Sequence, residues 1–443
     1  MALSIHNPHD LTQIGELPLQ SAKEISDAIG RATAATHLPV AERLAILKRT
    51  QALIDERFED LVETAILEGG KPRTDTEVEA RRAIEGVESA YQTLCNQAGE
   101  MIPMRGQGRL AFTLQEPAGV VLAYSAFNHP LNMVIHQVIP AVATGCPVVI
   151  KPALTTPFSC QKLVAILHEA GLPPDLCQMV LCENEVAEEM VSDPRLAFFS
   201  FIGSSEIGWR LRSKLAPGVR CALEHGGAAP VIVLDDADTN SMLPLLAKGG
   251  FYHAGQVCVS VQRVFASRKI AEQLAGEADK LQVGDPREKR TDVGPLIRTT
   301  AVDRIEQWVQ ESGGKILAGG KRLSETTYAP TVIFDPPDDA LVSSREIFGP
   351  VVCVYSNDDA IRRANALPFS FQAAVFGRDI DHLFDTARRL DADAVMINDH
   401  TAFRVDWMPF GGSRDSGLGR GGIPYSMEEM THNKLVVFRS PSL

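Results

Sequence analysis

Short apolar, β-branched runs alternate with stretches of helical length along most of this chain, and that alternation restricts the available folds more than any other feature. The runs are GVVLAYS (119–125), PVVIK (147–151), MVL (179–181), AFFSFI (197–202) and PVIVL (230–234). RVFAS (263–267), VVCVYS (351–356), AAVFG (373–377) and AVMIN (394–398) continue the series. A strand that is apolar on both faces is covered on both faces, and strands separated by helices must cross over to pair in parallel. The pattern therefore predicts an α/β protein with two lobes that divide near Gly227, each built on a mostly parallel sheet. Such sheets bind ligands at the carboxyl ends of their strands. The first third reads as helix. Pro39 sits at a first helical position, and Leu44, Leu47, Ile54, Phe58, Leu61 and Ile66 recur at near-helical spacing until Gly69-Gly70. A second helical pattern runs from about Glu77 to Leu94. The stretches 108–119 and 434–440 read instead as exposed strands, whose open edges suit pairing with another subunit.

Charge and cysteine usage exclude several classes. The 443 residues carry 43 basic and 56 acidic side chains, a net charge of −13. No basic face for nucleic acid or for an anionic membrane surface is expected. No run of 18 or more apolar residues is present to span a bilayer, and MALSIHNPHDLTQ lacks the pattern of a secretory leader. The eight cysteines form no C-x-x-C pair, so no zinc ribbon and no metal centre is expected. Sparse thiols suit a reducing compartment, and the cytoplasm is the expected location.

Seven short motifs carry chemistry-bearing residues. In FIGSSEIG, Gly203 and Ser204 end a strand and open a helix, where free N–H groups suit a phosphate, although many such turns bind nothing. In LEHGG, Glu224 interrupts an apolar stretch and would serve as a general base only beside water and with a raised pKa. In HAGQVC, Cys258 is either a small buried core residue or a nucleophile with thiolate character. Asn128 in SAFNHPLN follows a strand and either caps a helix or donates to an oxyanion. Lys151 ends the strand of VVIKPA. REIFGP places Glu346 and Phe348 two apart, on one side of an extended backbone. WMPFGGSRDSGLGR (407–420) reads as a structured loop.

In this order and spacing the motifs resemble the aldehyde dehydrogenase superfamily, over almost the whole chain. Cys258 lies 34 positions after Glu224, as the family's nucleophile follows its base. The resemblance implies two Rossmann-like α/β lobes plus a small β oligomerisation element. Residues 1–98 and 118–226 would form the dinucleotide-binding domain, 227–420 the catalytic domain, and 99–117 with 430–443 the oligomerisation strands of a homodimer or homotetramer. It implies NAD(P)-dependent oxidation of an aldehyde through a Cys258 thioester, with Asn128 at the oxyanion and Glu224 activating water. Ser125, Ala126, Phe127, Lys151, Ala153, Gly203, Ser204, Glu346 and Phe348 would touch NAD or NADP. Cys160, Cys177, Cys182, Cys221 and Cys353 would be structural.

Three departures from the family pattern bear on function. Leu154 stands where NAD-preferring members often carry an acidic residue, which leaves NADP or dual use open. LCENEVAEEM (181–190) has no glycine where many members have a glycine-containing stretch. His225 replaces a leucine beside the base. The segments expected to line the aldehyde tunnel supply Asn132, Met133, His136, Phe403 and Arg404, a polar set that suits a short polar aldehyde or semialdehyde. Arg404 would pair either with an anionic group of the substrate or with Asp406. Two alternatives remain at this stage: an acyl-transferring relative that uses coenzyme A, and a silent member with a binding or structural role.

Overall fold

The computed structural model describes residues 2–105 and 108–441; Met1, residues 106–107 and residues 442–443, which fall within the expected segments, lie outside the described residues. Two sheets organise the chain. The first has six strands in the order Gly417–Leu418, Arg220–Glu224, Leu196–Ile202, Val120–Tyr124, Val148–Lys151 and Cys177–Met179. All neighbours pair in parallel except the two-residue edge strand. The second has seven strands in the order Lys315–Ala318, Thr331–Phe334, Val351–Tyr355, Arg263–Phe265, Pro230–Val233, Gln372–Phe376 and Ala394–Ile397. It is parallel except for Lys315–Ala318.

The alternation of side chains along a strand explains how the first sheet is covered. Val121 and Ala123 pack with Ile46, Leu61, Val87, Ile135 and Ile166 on one face. Val120, Leu122 and Tyr124 pack with Ile25, Ile29, Met190 and Leu211 on the other. The helical first third thus supplies both layers. Its long expected run is two helices, Val40–Glu56 and Phe58–Gly69, which meet at Arg57. Pro39 is the residue before the first helical one, and Gly70 closes the second helix in the left-handed region at φ 70°.

The chain crosses back to the first lobe earlier than the expected boundary at 420. Gly417–Leu418 pairs antiparallel with Leu223 and Glu224, and helix Ile423–Glu429 packs on Asn132–Thr144 and Arg73–Asn96. A glycine permits this return: a Cβ at Gly417 would stand 2.3 Å from the Leu223 carbonyl oxygen. The two exposed strands find each other first. Thr431–Arg439 pairs antiparallel with Arg109–Pro117 over nine residues, and Met101–Ile102 completes a third sheet. The edge strand leaves Leu435, Val437 and Phe438 more than half exposed. No helix among the described residues is long and apolar enough to cross a membrane.

Candidate active site

Four adjacent strands of the first sheet end at one edge, and each delivers a motif there. Val120–Tyr124 leads to Ser125 and Asn128, Val148–Lys151 ends on Lys151, Leu196–Ile202 leads to Gly203, and Arg220–Glu224 ends on Glu224. Parallel register sets Ile202 beside Glu224, and the Gly203 N–H donates to the Glu224 carbonyl at 3.1 Å. The second lobe faces this edge with the loops that carry Cys258, Glu346 and Arg404. Between them lies one cavity of about 710 Å³. Asn128, Glu224 and Cys258 line it, as do Ser125, Ala126, Phe127, Lys151, Ala153, Gly203, Ser204, Glu346 and Phe348.

The Cys258 loop is held in an unusual backbone. After helix Thr239–Phe251, His253, Ala254 and Gly255 have φ of 48°, 53° and 68°. Only glycine fits at 255, because a Cβ would stand 2.1 Å from the Gly349 carbonyl oxygen. Gln256 then ties the loop down: its side-chain oxygen accepts from the Ile297 N–H at 2.9 Å, and its amide donates to the Pro295 carbonyl at 3.3 Å. The Asn128 side-chain amide donates to the Gln256 carbonyl at 2.9 Å. An amide has two N–H groups, so one stays available to the cavity.

Burial dominates the electrostatics here. It pushes the Cys258 thiol up to about 12, helped by the carboxyl of Glu346, while Arg404 pulls the other way. It raises the Glu224 carboxyl as well, against the pull of Arg404. The Glu346 carboxyl is pushed up to about 8. Close approach to glycine seats both acids: a Cβ at Gly421 would stand 2.0 Å from Glu224 Oε1, and one at Gly226 would stand 1.6 Å from Glu346 Oε1.

The Glu346 end of the cavity fits a dinucleotide. Ser125 Oγ and Glu346 Oε1 are buried without a partner among the described residues. Ser204 precedes helix Ser205–Arg212 without a side-chain cap, which leaves the first N–H groups to a phosphate. Phe348 has φ 49° rather than the extended backbone expected from its motif, and its ring meets Phe127 edge-on at 5.8 Å. His225 is buried beside the Gly203 turn and also lines the cavity. Its Nδ1 lies 3.0 Å from the Gly203 carbonyl, and its ring fills the space that a Cβ at Gly208 would need.

The end expected to take the aldehyde is built differently from the sequence expectation. Met133 and Arg404 line the cavity, whereas Asn132 and His136 are buried behind the wall. Asn132 is committed to Glu79 through its N–H and to Asp406 through its side-chain amide. Phe403 is not among the lining residues and is 44% exposed. Asp406 does not serve Arg404 chiefly. It takes a forked pair of bonds from Arg82 at 2.6 and 3.1 Å and a third from His136 Nε2 at 2.6 Å. Arg404 Nε stays 3.7 Å from Asp406, beyond hydrogen-bond reach.

The sequence model of the aldehyde dehydrogenase family matches residues 1–436. This chain belongs to the aldehyde dehydrogenase family. It is 34% identical to a 3-sulfolactaldehyde dehydrogenase of Priestia aryabhattai, over 98% of this chain and 94% of that protein. Among solved structures, it matches a glyceraldehyde-3-phosphate dehydrogenase of Methanocaldococcus jannaschii complexed with NADP. The TM-score is 0.95 and the identity 35%, over 99% of both chains. It matches aldehyde dehydrogenase 21 of Physcomitrella patens, in complex with the product succinate, with a TM-score of 0.96 and 35% identity over 100% of this chain and 96% of that one. The protein is therefore an enzyme that oxidises an aldehyde with NAD or NADP as acceptor.

Several residues of this dehydrogenase's cavity had no signal in the linear sequence. Arg82, Asp75 and Val78 reach it from helix Arg73–Asn96, and Lys248 and Tyr252 from the end of another helix. Arg210 lines the far end beside Asn184 and is paired with Glu188 at 3.4 Å. No local motif marks Arg82, because its partner Asp406 is 324 positions away.

Proposed function

We propose that Cys258 is the nucleophile, Asn128 the oxyanion donor and Glu224 the general base for oxidation of a short polar aldehyde to its acid, without coenzyme A. The observation that carries this reading is the convergence of these three residues on one cavity that continues to Lys151, Gly203 and Glu346. Cys258 Sγ bonds to the carbonyl carbon while its thiol proton passes to Glu224. The carbonyl oxygen becomes an oxyanion, held by the free Asn128 N–H and the Cys258 backbone N–H. NAD(P), when bound, would supply the acceptor for the hydride on the carbon of this adduct. Cys258 then carries a thioester. Glu224 releases the first proton to solvent and then takes one from water as the water oxygen bonds to the acyl carbon; the carbon–sulfur bond breaks and that proton returns to the Cys258 sulfur. A raised Glu224 pKa makes the carboxylate a better base near neutral pH.

Lys151 and Ala153 would hold the adenosine ribose, Gly203 and Ser204 the pyrophosphate, Ser125, Ala126 and Phe127 the strand-end wall, and Glu346 the nicotinamide ribose with Phe348 beside it. Leu154 sets no carboxylate against a 2′-phosphate, so NADP is accepted. The NADP complex of the Methanocaldococcus relative supports this. The polar aldehydes in the relatives' names support the substrate class. The chain assembles into a homodimer or homotetramer through the sheet of Arg109–Pro117 and Thr431–Arg439, whose apolar edge is exposed; light scattering measures that mass. Its eight unpaired thiols suit the cytoplasm.

Formation of reduced nicotinamide without coenzyme A tests the reading. Cys258→Ser should lower turnover by at least about 10³-fold with an unchanged circular dichroism spectrum. Undiminished turnover would refute the nucleophile, and a strict requirement for coenzyme A would refute hydrolysis by Glu224.

A further inference from the structure

We propose that Arg404 anchors a subsite for a single negative charge at the end of the substrate remote from its aldehyde, so that the preferred substrates are aldehydes bearing a carboxylate or a sulfonate. The inference rests on the assignment of Cys258 as the nucleophile. Arg404 lines the same cavity as Cys258, and its side chain is 7% exposed. A buried guanidinium is normally saturated with acceptors. Here Nε and Nη1 have no hydrogen-bond partner among the described residues. Only Nη2 is engaged, 3.3 Å from His136 Nδ1, and the guanidinium carbon lies 3.4 Å from the centre of the Phe410 ring. The ring fixes the plane of the fork and offers no acceptor oxygen.

Charge balance sets the valence of the guest. Arg82 and Arg404 bring two positive charges and Asp406 one negative charge. The hydrogen bonds assign Asp406 to Arg82 and His136, not to Arg404. His136 is neutral near pH 7, since burial and Arg404 hold its pKa down to about 4. Lys248 and Asp75, which also line the cavity, neutralise each other as an ion pair. Glu224 is the carboxylate base when the aldehyde binds, but it makes no hydrogen bond to Arg404, whose Nε and Nη1 stay unpartnered among the described residues. Arg404 is thus the cation of this wall whose N–H bonds are unmade. A carboxylate or a sulfonate offers one negative charge and two or more oxygens to such a fork. A phosphate dianion would bring a second charge with no buried partner, which is costly.

The test uses four aldehydes: succinate semialdehyde, 3-sulfolactaldehyde, glyceraldehyde 3-phosphate and propanal. For at least one of the first two, kcat/KM should exceed that for both the phosphate and the neutral aldehyde by about 100-fold. The better of the two identifies carboxylate or sulfonate as the source of the charge. Arg404→Gln should collapse that ratio, and Arg404→Lys should restore part of it. Equal use of all four, or preference for the phosphate, would overturn the proposal. A second measurement needs no turnover: succinate should protect Cys258 from iodoacetamide in the wild type and not in Arg404→Gln, and inorganic phosphate should protect neither. Protection without turnover would uphold the subsite and overturn the role of Cys258. Turnover without protection or anion preference would do the reverse.

Discussion

At the end of the cavity lined by Glu346, polar groups stand ready and unpartnered among the described residues: Ser125 Oγ, Glu346 Oε1 and the uncapped helix start after Ser204. At the aldehyde end the polar groups are already wired to one another, with Arg82, His136 and Asn132 all directed at Asp406. The first end waits for its ligand to complete its hydrogen bonds. The second spends nearly all of its hydrogen bonds internally and leaves one guanidinium short. A dinucleotide offers the same groups to every enzyme that uses it, so the unpartnered groups can sit at strand ends in short local motifs. An aldehyde's distinguishing group must be met by a shape and charge particular to one enzyme, and that requires residues brought from distant parts of the chain.

The sharpest way to break this contrast is to remove a charge at each end. Asp406→Asn leaves Arg82 buried without its carboxylate and should destabilise the protein by about 3–5 kcal/mol. Lys151→Ala removes a cation with no ion-pair partner among the described residues and should leave the ligand-free protein within about 1 kcal/mol of wild type. Denaturant unfolding compares the two, and equal losses would erase the distinction. A smaller effect tests cofactor choice. Leu154→Glu should lower kcat/KM for NADP relative to NAD by about 10-fold, because the carboxylate would oppose the 2′-phosphate. An unchanged ratio would place cofactor selection elsewhere, with Arg210 the next residue to vary.

A further test distinguishes the two ends by pH. Burial and Arg404 hold His136 down at about 4 from its ordinary 6.5, so it stabilises the fold above pH 6.5, and that stability is lost as pH falls toward 4. Burial raises Glu346 from 4.5 to about 8, so its contribution is present below pH 4.5 and is lost as pH rises through 8. Melting temperature against pH should therefore lose its acid-side slope in His136→Gln and its alkaline-side slope in Glu346→Gln. A shared response of both slopes to either change would mean that the ends are coupled.

Much of the cavity lining was legible because each expected residue that lines it sits at a strand end or in a glycine-marked turn. Glu224, Cys258 and Asn128 stand out as polar residues that interrupt or terminate apolar runs. The weaker expectations failed where backbone conformation or distant pairing decided. Phe348 follows a left-handed turn that its motif does not reveal. Asn132 and His136 have the helical placement of tunnel residues, yet face Glu79 and Asp406 behind the wall. The return of Gly417–Leu418 to the first sheet depends on two residues, too few to show periodicity.

By itself the sequence determined the two parallel sheets, because continuous apolar strands separated by helices bury themselves in few other ways. It also determined which residues meet at the strand ends, because parallel strands deliver their carboxyl termini to one edge. The tertiary structure alone decided which charges in the wall are spent and which are free. Arg82 and Asp406 lie 324 positions apart, and only their meeting leaves Arg404 short of a partner. Pairing energy between buried charges depends on distance and desolvation, and neither is encoded locally along the chain.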